Sequence, residues 1–160
     1  MLLILDNHER SMKKVYTLSE ELKEDPEYAT LTRAVTLDES KPNIGLNGTF
    51  GLFDTKEWWD SIKQRKMPLL FLNGVIKRSY VAGQDLSKFN NAIDLLLDDG
   101  SIKMVSIYVN KESDADLFKV GHEVNIVYAL DELKPAAAKL FGQKYNQIAL
   151  EMAVSLEPVI

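Results

Sequence analysis

The stretch Leu95-Leu-Leu-Asp-Asp-Gly-Ser-Ile-Lys-Met-Val105 decides how the second half of the chain folds. Its Asp99-Gly100 pair is typical of a two-residue type I′ turn, in which both central residues need positive φ angles. Such a turn places Leu95 opposite Met104, so that apolar side chains meet on one face. The pattern therefore predicts a β-hairpin made of the strands Ala92–Leu97 and Ile102–Val109.

The rest of the second half also has the two-residue period of strands. Three more strands and one short helix are predicted, at Pro68–Val81, Ser113–Asp116 (the helix), Glu123–Leu130 and Ile148–Leu156. The resulting order is three strands, a helix and two strands. That order resembles an OB-fold, whose five-stranded barrel carries a helix between strands three and four. An SH3-like barrel is the alternative.

The first third has helical spacing instead. Asp6 and Glu9 form a capping box ahead of an apolar stripe at spacings of three and four. Asp25-Pro26-Glu27 is a second helix start, and Asp54-Thr-Lys-Glu57 is a third. The stripe of the first helix is Met12, Val15, Leu18 and Leu22, and the second helix would face inward with Tyr28, Leu31 and Val35.

Together these patterns predict an α+β fold. A helical N-terminal segment, residues 1–66, packs on a small five-stranded antiparallel β-barrel, residues 67–160, and the two form one compact unit. The chain has 160 residues and 46% hydrophobic residues, which is ample for one core.

Composition excludes several classes of protein. The chain has no cysteine and only two histidines, so disulfides, thiolate metal sites and a histidine-only zinc site are excluded. The apolar residues 1–5 are too few for a signal peptide, and no stretch could span a membrane, so we expect a soluble cytoplasmic protein. The net charge of −5 disfavours nonspecific binding to nucleic acid.

No catalytic signature is present in the sequence. His8 and His122 lie in no nucleophile–base motif, and a Gly-x-Ser-x-Gly motif is absent. The glycines of the 43–53 segment do not have the spacing of a dinucleotide or phosphate loop. We therefore expect no enzymatic activity, no cofactor and no metal.

Trp58 and Trp59 are the most informative candidates for binding. Tryptophan is rarely fully buried and is enriched at protein interfaces. The neighbouring 43–53 loop has no clear periodicity, and contact residues concentrate in such loops; Asn47 and Phe50 are its candidates. The sequence favours a non-enzymatic module that binds another protein through this region, although core packing of the tryptophans is an alternative.

Two other functions remain open. An OB-like barrel would bind nucleic acid through aromatic and basic residues of its second and third strands, but the acidic hairpin residues oppose phosphate. A small molecule could instead bind the 43–53 loop. A homodimer is also possible if the strand Ile148–Leu156 is an edge. The nucleic-acid candidates are Phe71, Lys77, Arg78, Tyr80, Lys103 and Tyr108.

Overall fold

The computed structural model describes residues 2–3, 5, 11–83 and 89–160. They form an α+β protein with a six-stranded antiparallel sheet in the order β1-β6-β5-β2-β3-β4. The strands are β1 (Met12–Thr17), β2 (Leu69–Tyr80), β3 (Ala92–Leu97), β4 (Ile102–Ser106), β5 (Glu123–Glu132) and β6 (Tyr145–Ser155). The helices are α1 (Leu18–Glu24), α2 (Pro26–Leu37), α3 (Lys56–Lys63), a 3-10 helix (Glu112–Leu117) and α4 (Pro135–Phe141).

The sheet is open, so the predicted five-stranded barrel is wrong, while the α+β class is confirmed. Barrel closure would require the outermost strands to pair with each other. In the described residues β1 and β4 are the two edges of the sheet. Neither an OB-like nor an SH3-like closure is formed. The predicted strand Ile148–Leu156 corresponds to β6, which lies between β1 and β5 and is not an edge.

The predicted first helix is wrong over its first half. Residues 12–17 form β1, and helix begins only at Leu18. A bulge between Lys14 and Tyr16 leaves both Val15 and Tyr16 buried, because a bulge breaks the alternation of a strand. The apolar residues of this stretch therefore recur at the spacing of three and four residues that is typical of a helix. The Asp6 capping box lies outside the described residues.

The predicted β3–β4 hairpin is confirmed, but its turn is different. The Gly100 amide donates to the Leu97 carbonyl (3.0 Å), and the Leu97 amide donates to the Ser101 carbonyl (2.9 Å). Gly100 has a φ of +84°, whereas Asp99 does not have a positive φ. The connection is therefore a three-residue loop with a single left-handed residue, and not a type I′ turn. The Asp99 carboxylate accepts hydrogen bonds from the Ser101 amide and hydroxyl.

The longer loop shifts the hairpin register by one residue. Leu95 lies opposite Lys103 instead of Met104, and Met104 lies opposite Asp94. Because successive side chains of a strand point to opposite faces, a register shift of one residue moves every side chain of β4 to the opposite face relative to β3. Leu95 and Ile93 are fully buried, but Met104 is 57% exposed.

The second and third helices begin close to where the sequence places them. Pro26 occupies the first turn of α2, as predicted. The inward face is different, because Ala29 is buried whereas Leu31 is 63% exposed. Helix α3 is capped by Thr55, one residue after the predicted Asp54, and the Trp58 amide donates to the Thr55 hydroxyl. Helix α4 forms where the segment 134–139 predicts a loop or a single helical turn.

The described residues form two compact units. The first consists of those in Met1–Glu20, Phe71–Val127 and Ala149–Ile160. Its core is built mainly from strand residues, including Ile76, Ile93, Leu95, Val124, Ile126 and Met152. The second consists of Glu21–Leu70 and Tyr128–Ile148. Its core includes Leu46, Phe53, Trp58, Ile62, Met67 and Ala137.

Gly100→Ala tests the observed turn. No atom lies within 4 Å of a Cβ added at Gly100, so the cost of this change is the left-handed backbone alone. We expect the free energy of unfolding to fall by about 1 kcal/mol, measured by urea denaturation. Gly100→Asn is the matched control and should lose less, because asparagine tolerates this conformation better. Equal losses for the two variants would contradict the turn.

Candidate functional site

Trp58 lies in the core of the second unit and not on its surface. The capped start of α3 directs its ring inward, where it is fully buried. The indole packs edge-on against Phe53, with ring centroids 4.9 Å apart. Its Nε1–H donates to Oδ2 of Asp131 at 2.9 Å. Trp58 is therefore a structural residue, and it is not accessible to a partner.

Trp59 is half-buried and keeps part of its ring at the surface. Its Nε1–H donates to Oδ1 of Asp54 at 2.7 Å, and its ring meets Trp58 edge-on at 4.9 Å. Asp54 has a φ of +61°, which is uncommon outside glycine and asparagine-like residues. The hydrogen bond from Trp59 gives the Asp54 carboxylate a partner. The edge of the Trp59 ring that carries Nε1 is therefore already occupied by a contact within the chain.

The 43–53 loop is fixed to the end of β5. The backbone amide of Asn47 donates to the Glu132 carbonyl at 2.9 Å, and Leu46 forms an isolated antiparallel β-bridge with Leu133. The side chain of Asn47 is exposed and donates to Thr49. Phe50 is half-buried, and its carbonyl accepts from the Ser61 hydroxyl. The loop is thus an ordered part of the second unit.

Several cavities of the second unit lie against this loop. Two of them, of about 590 Å³ beside Phe50 and about 400 Å³ beside Asn47, are lined in part by charged side chains. A third, beside Phe53, has a volume of about 250 Å³, which is below the range of roughly 300–1,000 Å³ that is usual for small-molecule sites. No charged side chain is among the described residues that line it, so it offers no ionic group to orient a ligand. The lining residues are Tyr28, Thr32, Val35, Gly45, Leu46, Phe53, Leu133, Asn146 and Ile148. Ligand binding there stays a prediction.

Asp131 is a fully buried carboxylate. One of its oxygens accepts from Trp58, while Oδ1 has no hydrogen-bond partner among the described residues. Burial raises the pKa of Asp131, and the hydrogen bond from Trp58 opposes that rise only in part. Acid–base catalysis would need a second positioned group and access for a substrate. A buried side chain paired with a core tryptophan instead indicates a structural role.

The first unit presents an exposed face of β2, β3 and β4 with unusual composition. The solvent side of an antiparallel sheet is ordinarily polar. Here Phe71, Ile102 and Met104 are 50%, 55% and 57% exposed. The strand pairing places Ile102 and Met104 on one face with Val75 of β2, and the alternation along β2 adds Phe71. We call this the exposed sheet face and define it as Phe71, Val75, Arg78, Tyr80, Asp94, Leu96, Ile102 and Met104.

A polar corner lies on the same face. The Tyr80 hydroxyl donates to Oδ1 of Asp94 at 2.8 Å, and the Arg78 guanidinium lies 4.1 Å from the centre of the Tyr80 ring. The hydrogen bond to the carboxylate raises the pKa of Tyr80. Arg78 and Asp94 are directly opposed across the strands, beside a bulge at Lys77. These contacts hold an aromatic and a cationic side chain in fixed positions on the exposed sheet face.

The six nucleic-acid candidates do not form one surface. Phe71, Arg78 and Tyr80 share the exposed sheet face, but Lys103 lies opposite Leu95 on the other face. Tyr108 packs against Tyr16, with ring centroids 5.4 Å apart. Lys77 lies at the register shift between Ile76 and Arg78 and is not one of the paired positions. Asp94 lies among the three candidates on the exposed sheet face, and its negative charge repels phosphate. Nucleic-acid binding remains an untested prediction.

Several other features bear on chemistry. His122 is buried, and its Nδ1 lies 2.7 Å from the Ser155 carbonyl oxygen. His8 lies outside the described residues. Among the described residues, no group of three or more metal-binding side chains comes together. Within the same part of the chain, no helix has both the length and the apolar character needed to cross a membrane.

Comparison with protein families gives a match over most of the chain. A family model described as "Immunity protein RhsI2" matches residues 12–155. The matched range begins at the first residue of β1 and ends at the last residue of β6, so it contains the entire sheet. A search of the curated proteins found no match.

The two adjacent tryptophans should differ in their effect on stability. Trp58→Ala should lower the free energy of unfolding by about 3–5 kcal/mol, as is typical when a large core side chain is truncated. Trp59→Ala removes a half-buried ring and should cost clearly less. Guanidinium denaturation followed by circular dichroism measures both. Similar losses at the two positions would contradict the placement of Trp58 alone in the core.

Asp131→Asn should change how stability depends on pH. Because the pKa of Asp131 is raised in the folded state, folding favours the protonated carboxyl. The wild-type protein therefore loses stability relative to the variant as pH rises from about 4 through the folded-state pKa, by at most about 1.4 kcal/mol per pH unit. Chemical denaturation of both proteins between pH 4 and 8 measures the difference. A difference that is constant with pH would refute this assignment.

Proposed function

The chain belongs to the RhsI2 immunity protein family, and we propose that it neutralises a toxin protein by binding it, with no catalysis of its own. The observation that carries the proposal is the family match over the whole sheet, residues 12–155. The exposed sheet face of the first unit is consistent with this proposal, because it combines apolar side chains with a polar corner. We expect this binding to take place in the cytoplasm.

We propose the exposed sheet face as the surface that contacts the toxin. Exposed apolar side chains that lie together on a monomer commonly mark a protein interface. Ile102 and Met104 are successive residues on this face of β4, and Phe71 of β2 lies on the same side. Arg78 and Tyr80 at the polar corner are residue types that often dominate binding energy.

The tryptophan region is the weaker candidate for this contact. Trp58 is fully buried, and the indole N–H of Trp59 is already bound to Asp54. Asn47 is exposed, but its side-chain amide is paired with Thr49. Trp59 and Phe50 could still contribute apolar area. The exposed sheet face offers more accessible apolar side chains, so it is the surface that we propose.

A co-expression screen tests the proposed function. Open reading frames of the source organism are expressed in a host bacterium to find those that stop growth. Each toxic product is then expressed with or without this chain. The proposal requires that growth be restored for at least one toxin and that the two proteins purify together in equal amounts. Failure to rescue any of the toxic products would overturn it.

Met104→Asp should weaken toxin binding. A charge at a central apolar contact should cost about 2 kcal/mol or more, which is roughly a 30-fold rise in Kd. Leu31→Asp is the matched control, because Leu31 is also exposed, at 63%, but lies on α2 in the second unit. Isothermal titration calorimetry measures the Kd of both variants for the toxin whose effect on growth the chain relieves. If Leu31→Asp has the larger effect, the toxin contacts a different surface.

A further inference from the structure

We infer that the toxin binds by pairing an extended segment of its own chain with the free edge of β4, which adds one strand to the sheet. This inference rests on the proposed function and specifies how the partner engages the surface. It follows from the backbone of β4, from the contrast with β1, and from the side chains around the edge.

The backbone of β4 has hydrogen-bonding groups on its outer side that no described strand pairs with. In an antiparallel pair, the residues of one strand alternately direct their N–H and C=O groups toward and away from the partner strand. The bonds from Leu97 to Ser101 and from Ile107 to Asn91 fix this alternation. The backbone groups of Ile102, Met104 and Ser106 therefore point away from β3. No strand of the described chain lies on that side.

The opposite edge of the sheet is covered over part of its length. The backbone amide of Asn110 donates to the Val15 carbonyl at 2.9 Å. The side chain of Asn110 also accepts from the Thr17 amide at 2.8 Å and donates to the Thr17 carbonyl at 3.1 Å. With the bulge after Lys14, these bonds occupy the outer side of the second half of β1. Proteins commonly protect sheet edges in this way, and β4 lacks such protection among the described residues.

The side chains specify what kind of strand fits. Ile102 and Met104 stand at alternate positions, so they favour a segment with apolar side chains at alternate positions on the same face. Asp98 and Asp99 are exposed at the turn that precedes β4, while Lys103 lies on the buried face. A basic residue at the end of the segment nearest the turn would therefore be attracted.

A second copy of this chain fits the edge less well. Two copies would bring together two proteins that each have a net charge of −5. A five-residue strand pairs over a short length, whereas stable dimers bury about 1,200 Å² or more. A toxin can wrap further contacts around the exposed sheet face, so it can add the missing area.

Amide hydrogen exchange followed by NMR tests strand addition directly. The complex with the toxin found by the co-expression screen is compared with the free chain. In the free chain the amides of Lys103 and Val105 should be protected and those of Ile102, Met104 and Ser106 should exchange quickly. In the complex, this second group should slow by at least tenfold. If the toxin binds and rescues growth but these three amides remain fast, strand addition is wrong although the proposed function stands.

A pair of variants at one position separates backbone from side-chain recognition. Met104→Pro removes the outward amide, which is tolerated at edge strands, and Met104→Thr keeps it. Toxin affinity should fall at least tenfold further for the proline variant. Equal affinities would overturn the inference. Circular dichroism confirms folding, and if the proline variant does not fold, the exchange experiment decides.

Self-association is the competing outcome. Analytical ultracentrifugation of the free chain at increasing concentration detects it, and amide exchange at the same concentrations locates it. If Ile102, Met104 and Ser106 become protected without toxin, the edge is occupied by a second copy and the inference is wrong. A chain that stays monomeric with fast edge amides, and becomes protected only with toxin, supports it.

Discussion

The hydrogen bond from the Gly100 amide to the Leu97 carbonyl sets the register on which the proposed interface depends. It closes a loop in which Gly100 is the left-handed residue, and this loop aligns Met104 with Asp94. A shorter loop would align Met104 with the buried Leu95, and the exposed sheet face would have no methionine. The same alignment directs the outer backbone groups of Met104 to the free edge. A single backbone conformation thus decides both the side chains and the hydrogen bonds that a partner meets.

Much of the fold could be predicted from local pattern, but its closure could not. The α+β class, the strands of the second half and the start of α2 follow from periodicity, proline and glycine. Asp99-Gly100 is compatible with both loops, and the sequence does not show that the Asp99 carboxylate binds Ser101. The open sheet depends on the pairing of Met12 with Ser155. Such a contact between distant parts of the chain leaves no local signal.

The candidate site was predictable only in part. Aromatic and basic character makes Phe71, Arg78 and Tyr80 candidates from sequence alone, and the structure brings them to one face. The sequence does not indicate Ile102 and Met104, because the expected register places Met104 opposite the buried Leu95. Trp58 is a candidate from sequence because tryptophan is common at interfaces. In the structure it is buried against Phe53 and hydrogen-bonded to Asp131, which lies far away in the sequence, and composition alone does not reveal such a pair.

The tryptophan pair on α3 also determines what an optical experiment on this protein can detect. The chain has two tryptophans, and both belong to the second unit. Tryptophan fluorescence, excited at a wavelength that tyrosine does not absorb, therefore reports the environment of that unit, and a melting curve recorded in this way follows the unfolding of that unit. Far-ultraviolet circular dichroism follows the strands of both units. Agreement between the two signals would show that the units unfold as one cooperative system, whereas separate transitions would reveal a partly folded state.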